Sequence, residues 1–133
     1  MFINEIIVPD SLAPAKGFSH GVKAGDTVYL GGQTALNKEG KIVEGTVVDQ
    51  FRQALSNVLE TLREAGGQPD DLVTLTIYLT DVDDYMARGH EIGQIWREMV
   101  GKRYPAMAGI GVSQLWQKAA VVEIQGVAVI QSR

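Results

Sequence analysis

The sequence predicts an α+β protein in which a mixed β-sheet carries two helices on one face. Apolar residues recur at helical spacing over two stretches, which is typical of amphipathic helices. Alternating or continuous apolar runs surround these stretches and give the order β-β-β-α-β-α-β-β. Because single strands separate the helices, we expect βαβ crossovers that place both helices on the same side of the sheet.

The first half of the chain contains three short strands and the clearest helix. The strands are expected at 2–8, 17–25 and 26–33, with a hairpin turn at "KAGD" between the last two. Thr46 and Asp49 resemble a capping box, and Gly66-Gly67 ends the helix. The apolar stripe of this helix consists of Val47, Val48, Phe51, Leu55, Val58, Leu59 and Leu62.

The second half begins with a strand in "DDLVTLTIYLTD", residues 70–81. Strict alternation predicts that Val73, Leu75, Ile77 and Leu79 point inward. A second helix is expected from about Asp83 to Val100. Its predicted inward residues are Tyr85, Ile92, Ile95, Trp96 and Met99. Two strands, roughly 105–115 and 119–131, complete the sheet.

Composition limits the classes of function. The 133 residues form a single domain, 1–133, with 12 basic and 16 acidic residues and a net charge of −4. This charge disfavours nucleic-acid and membrane-surface binding. The absence of cysteine excludes disulfides and thiol chemistry. No signal peptide and no membrane-spanning run is recognised, so we expect a cytoplasmic protein.

The sheet face opposite the helices indicates self-association. It is too aromatic and glycine-rich for a solvated surface, yet too polar for a core. We therefore expect a homo-oligomer that packs these faces together. By alternation the face carries Tyr29, Thr74, Thr76, Tyr78, Met107, Gly109, Gly111, Glu123 and Gln125.

Glu123 is the main candidate for chemistry, because it interrupts the apolar run "AAVVEIQGVAVI". A carboxylate in such a strand is costly to bury without a partner. It is either a general base or a group that positions water in an apolar cleft, or it is a structural carboxylate that backbone amides cap or that faces solvent at a subunit boundary. The Met107, Gly109 and Gly111 strand either approaches a ligand or packs against another subunit. Trp116 fits a pocket rim or a subunit contact.

Other polar residues favour structural roles. His20 and His90 have no ligand or triad partners at suitable spacing. "LGGQ" does not match a phosphate-binding loop. Asp81, Asp83 and Asp84 most simply cap the second helix, although a weak cation site stays open.

The segment "YPAMAGIGVSQLWQKAAVVEIQGVAV" resembles the C-terminal signature of the Rid/YjgF family of enamine and imine deaminases. The resemblance extends over nearly the whole chain, including "GFSHGV" and "VYLGGQ". The signature is matched by Pro105, Ala106, Ala108, Ile110, Ser113, Leu115, Val122, Glu123 and Ile124.

The resemblance implies a chorismate-mutase-like fold, a homotrimer with sites between subunits, and hydrolysis of an imine to a ketone and ammonia without cofactor or metal. Glu123 matches the glutamate that positions water, and Gly32 matches a glycine lining the cleft. Phe18 stands where a tyrosine is usual, and Gly89 where asparagine is frequent. Met107 replaces the arginine that grips the substrate carboxylate.

Met107 makes it less certain that this chain shares the deaminase activity that the resemblance implies. Losing an arginine–carboxylate contact should cost about 2–5 kcal/mol. Arg103 could substitute, although its place before Tyr-Pro favours the rim. We expect Phe18, Gly32, Met107, Gly109 and Trp116 to shape a site for a non-standard small imine or enamine. The alternatives are a non-catalytic trimer that binds a small metabolite or a protein partner, and a ribonuclease or translation inhibitor, which the acidic charge disfavours.

Overall fold

The computed structural model describes residues 3–133, in which a six-stranded mixed sheet carries three helices. The strands are β1 (Glu5–Ile7), β2 (Gly21–Ala24), β3 (Thr27–Gln33), β4 (Leu72–Leu79), β5 (Ala106–Gly111) and β6 (Val122–Val129). The helices are α1 (Val47–Glu64), α2 (Val82–Ala87) and α3 (Gly89–Met99), with a 3₁₀ turn at Pro69–Asp71. Phe2, in the first predicted strand, lies outside the described residues.

The strand order is β1-β2-β3-β6-β4-β5. β4 and β5 are parallel, and every other pairing is antiparallel. The predicted mixed sheet and α+β class are therefore confirmed. The last two strands are shorter than expected because the chain leaves the sheet after Gly111 and rejoins it at Val122.

Helix α1 supplies the centre of the core, as its apolar stripe predicts. Phe51, Leu55, Val58 and Leu62 are fully buried against the sheet. The capping box is present: the Thr46 hydroxyl accepts a hydrogen bond at the first turn, and its backbone N–H donates to an Asp49 carboxylate oxygen at 2.8 Å.

The predicted second helix is two helices. Arg88, with φ −104° and ψ 20°, separates α2 from α3 because its backbone leaves the helical region. Gly89 follows, and because glycine has a low helix propensity, little helical stability is lost by interrupting the helix here. The predicted inward orientation is nevertheless confirmed for Ile92, Ile95 and Trp96, which are buried.

A bulge changes one predicted side-chain direction in β4. Leu72 pairs with Ala128 and Thr74 with Val127, so Val73 is an extra residue between two consecutive positions of β6. Val73 is consequently 48% exposed, and the prediction that it points inward is wrong. Alternation is regular from Thr74 onward, because a bulge resets the faces of the strand.

Candidate functional site

A second bulge brings β3 against the carboxylate of Glu123. Gly31 and Gly32 both face Gln125, because the pairing of β3 with β6 shifts between Leu30 and Gln33. A Cβ atom on Gly32 would overlap Glu123 Oε2 and lie 3.0 Å from its Cδ atom. Glycine at position 32 therefore leaves the space that the carboxylate occupies.

Glu123 lies on the sheet face opposite the helices, as predicted. Its neighbours Val122 and Ile124 are fully buried toward the helices, while Glu123 pairs with Tyr78 and is half-buried. Burial raises the pKa of the Glu123 carboxyl, and no hydrogen bond or cation among the described residues offsets this effect. Such a carboxylate is a stronger proton acceptor than one in water.

Two clefts meet at Glu123 and Trp116. The first has a volume of about 370 Å³ and is lined by three of the five residues predicted to shape the site, Phe18, Gly32 and Trp116. It is completed by Lys16, Gly17, His20, Gln33, Thr34, Leu36 and Gln117. The second, of about 580 Å³, is lined additionally by Tyr78, Gln114, Leu115 and Gln125. The carboxylate is thus accessible from two directions.

The aromatic wall of the first cleft is held by His20. The Phe18 and His20 rings meet edge to face, with centroids 5.4 Å apart and an interplanar angle of 88°. His20 Nε2 donates to the Ala13 carbonyl at 2.8 Å, and Nδ1 accepts from Gln33 Nε2 at 2.9 Å. This pattern fits a neutral imidazole. His20 is buried with both nitrogens satisfied, which confirms its structural assignment.

Two buried amides on α1 fix the loops that form the cleft walls. Asn57 Nδ2 donates to the carbonyls of Thr34 and Leu36, at 3.2 and 2.9 Å. Gln50 bonds Ala119 O at 3.0 Å and the Val121 N–H at 2.9 Å, directly before β6. Neither residue was predicted from the sequence. The signal was available, because each is a polar residue beside the apolar stripe of α1.

Within one chain, Met107 and Gly109 lie on the opposite face of the sheet from Glu123. Their backbone partners are Leu75 and Ile77, whose side chains are buried beneath the helices. Gly111 faces the same side, because a Cβ atom there would lie 3.1 Å from Val82 Cγ2 at the start of α2. The prediction that these three residues share the face of Glu123 is therefore wrong. The face of each residue in β5 depends on its register with β4, which alternation alone does not determine.

The whole of β5 is exposed at the edge of the sheet. All six residues from Ala106 to Gly111 are exposed, and Met107 is 41% exposed although it faces the helix side. The helices do not reach across this strand. Trp116 is 92% exposed in the following loop, where it borders both clefts.

The remaining candidates lie outside both clefts. The Arg103 carbonyl accepts a hydrogen bond from Trp96 Nε1 at 3.1 Å, and neither cleft is lined by this residue. Asp81 caps α2 by accepting the Asp84 N–H at 3.0 Å, as predicted. Within residues 3–133 no cluster of three metal-ligating side chains occurs. No helix of the described chain is long and apolar enough to cross a membrane.

Comparison with known sequences identifies relatives along nearly the whole chain. The sequence model of the family described as Endoribonuclease L-PSP matches residues 8–130. The 2-iminobutanoate/2-iminopropanoate deaminase of Dermatophagoides farinae is 30% identical over 130 residues, covering 97% of this chain and 95% of the relative. Protein mmf2, mitochondrial, of Schizosaccharomyces pombe is 33% identical over 113 residues, covering 84% and 86%. With a mitochondrial relative, the cytoplasmic location stays a prediction.

Comparison with solved structures gives the same result for the backbone. The crystal structure of E. coli TdcF with bound serine has a TM-score of 0.86 and 28% sequence identity. It covers 96% of this chain and 99% of that one. The fold expected from the Rid/YjgF resemblance is thereby confirmed.

Proposed function

Because the chain belongs to the endoribonuclease L-PSP family, which is the Rid/YjgF family, we propose that it hydrolyses a small imine or enamine at Glu123. One observation carries this proposal: a half-buried carboxylate with a raised pKa opens into a 370 Å³ cleft, beside a glycine that makes room for it. The deaminase name of the Dermatophagoides farinae relative supports the reaction class.

In the proposed reaction, Glu123 accepts a proton from a water molecule whose oxygen attacks the imine carbon. The proton then passes to the nitrogen of the tetrahedral adduct. Glu123 then takes the hydroxyl proton of the adduct and delivers it to the nitrogen, so that the C–N bond breaks, ammonia leaves and the ketone forms. Phe18 supplies an apolar ring to the wall of the same cleft.

We also propose that the active unit is a homotrimer. The fully exposed β5 edge and the exposed aromatic residue Trp116 support self-association. Met107 and Gly109 face away from Glu123 in their own chain, so they reach a Glu123 cleft only if a second copy presents them. Light scattering should give the mass of three 14.4 kDa chains; a monomer at micromolar concentration would contradict the assembly.

Ammonia release tests the catalytic proposal. Imines generated by an amino-acid oxidase are offered to the wild type, to Glu123→Ala, and to Glu64→Ala, which removes an exposed carboxylate at the end of α1. We expect Glu123→Ala to lose about 10²–10⁴-fold in rate and the control to keep its rate. Equal activity of wild type and Glu123→Ala would refute the mechanism.

Met107 supports a second candidate, a trimer that binds a small metabolite without turning it over. A thioether cannot make the charge-assisted bonds of the arginine expected at this position. If the wild type is inactive on imino acids and Met107→Arg gains activity, the binding role is favoured. The −4 net charge makes ribonuclease activity the weaker alternative, despite the family description.

A further inference from the structure

The first Glu123 cleft carries a cation that the family resemblance does not assign. Lys16 lines the 370 Å³ cleft together with Phe18 and Glu123. The 580 Å³ cleft on the other side of Glu123 has no basic residue in its lining, as far as residues 3–133 are concerned. Lys16 is exposed, and none of the four ion pairs formed within residues 3–133 involves it. Its ammonium group is therefore available to a ligand of this cleft.

Gly17 forms the turn between Lys16 and Phe18. Its φ of +80° lies in the region that other L-residues rarely adopt, while a Cβ atom there would meet no atom within 4 Å. Glycine is thus needed for the backbone conformation and not for space. The resulting turn lets the residues on both sides of it, Lys16 and Phe18, line the same cleft. The packing of Phe18 on His20 holds one end of this turn.

Two arginines of the described chain are placed elsewhere. Arg103 lines neither cleft. Arg88 is engaged by Asp84, with Nε and Oδ1 2.9 Å apart. An anionic ligand beside Glu123 needs a compensating positive charge, because two carboxylates repel one another in a partly desolvated site. Lys16 is the residue of this cleft that supplies it.

We propose that Lys16 binds the carboxylate of an anionic substrate in the Glu123 cleft, so that the chain accepts imino acids without an arginine at position 107. This inference rests on the proposed function and names the substrate class of the same site. A compact ammonium makes a single charged contact where arginine makes a paired one. The expected contribution is therefore moderate, about five- to tenfold in affinity.

An NMR titration with 2-oxobutanoate, the ketone that hydrolysis of 2-iminobutanoate yields, tests this role separately from catalysis. Butan-2-one serves as the uncharged probe. We expect Lys16→Met to raise the Kd for 2-oxobutanoate about five- to tenfold, and Lys16→Arg to restore it. The control Lys41→Met removes an exposed charge that does not line the cleft, and should leave it unchanged. Butan-2-one should bind all variants alike.

Equal 2-oxobutanoate affinity in wild type and Lys16→Met would overturn the proposal, as would a wild type that does not bind this keto acid. The proposed function has a different failure: a wild type that binds 2-oxobutanoate through Lys16 but releases no ammonia from imines. Binding and turnover together therefore separate the two.

Discussion

Replacing Gly32 with alanine tests the geometry of the site with a single methyl group. The added Cβ would overlap Glu123 Oε2 and lie 3.0 and 3.3 Å from Cδ and Cγ. These are side-chain atoms, so Glu123 can yield by changing its rotamer. The φ of Gly32 is not positive, and alanine therefore brings no backbone strain at this position.

Gly32→Ala should have a small effect on stability and a large effect on catalysis. An off-rotamer glutamate costs about 0.5–1.5 kcal/mol, so the protein should stay folded. A displacement of about 1 Å in a catalytic group costs roughly 100-fold in rate. We thus expect Gly32→Ala to lose about two orders of magnitude in kcat/KM for imine hydrolysis, with only a small decrease in Tm.

The assay is ammonia release at matched protein concentration, with thermal unfolding measured on the same samples. Gly93→Ala in α3 is the control, because its added Cβ would meet only Arg97 Nη1, at an ordinary 3.4 Å. It should keep full activity. If Gly32→Ala is as active as this control, the position of the Glu123 carboxylate does not matter and the reasoning fails.

Three further predictions concern stability. Burial raises the pKa of Glu123 in the folded protein above 4.5, so the stability of the wild type falls as the pH rises from about 4.5 through the folded pKa. Glu123→Gln should therefore have a higher Tm than the wild type at pH 7 and lose this advantage below about pH 4. A Tm difference that is the same at both pH values would contradict the raised pKa. Burial of Asp71 acts to raise its pKa, but hydrogen bonds from Arg133 and two backbone N–H groups outweigh it and lower the pKa below 3.8. The stability from Asp71 is thus present above about pH 4 and lost in more acidic solution. At pH 7, Asp71→Asn should cost about 2 kcal/mol in urea unfolding, because the hydrogen bonds lose their charged acceptor, and equal loss in the exposed neighbour Asp70→Asn would contradict the argument. Asn57→Ala should cost about 2 kcal/mol, because two buried carbonyls lose their donor, and an unchanged urea midpoint would contradict this role.

Helices and strands that bury one regular apolar face could be predicted from the sequence. The α1 stripe and the inward residues of α3 follow from helical periodicity, and both are found in the core. Glu123 was identified because a carboxylate in an apolar strand stands out from its neighbours. Its position on the open face follows from alternation alone, which is local and regular in β6.

The errors arose where register or backbone dihedrals decide the outcome. Periodicity could not reveal the bulge at Val73 or the interruption at Arg88. The face of Met107 depends on how β5 aligns with β4, which is a tertiary property that no local pattern encodes. Lys16 was not predicted, because a lone lysine in a loop carries no signal until the fold shows that it lines the Glu123 cleft.

The pH dependence of kcat/KM for imine hydrolysis tests the role of Glu123 most directly. The carboxylate must be ionised to accept a proton from water, so activity should fall as pH decreases through its pKa, which burial raises above 4.5. In Glu123→Gln the remaining activity should be lower at neutral pH and this acid limb should vanish. An acid limb that is unchanged in Glu123→Gln would show that another group acts as the base, and would contradict the mechanism.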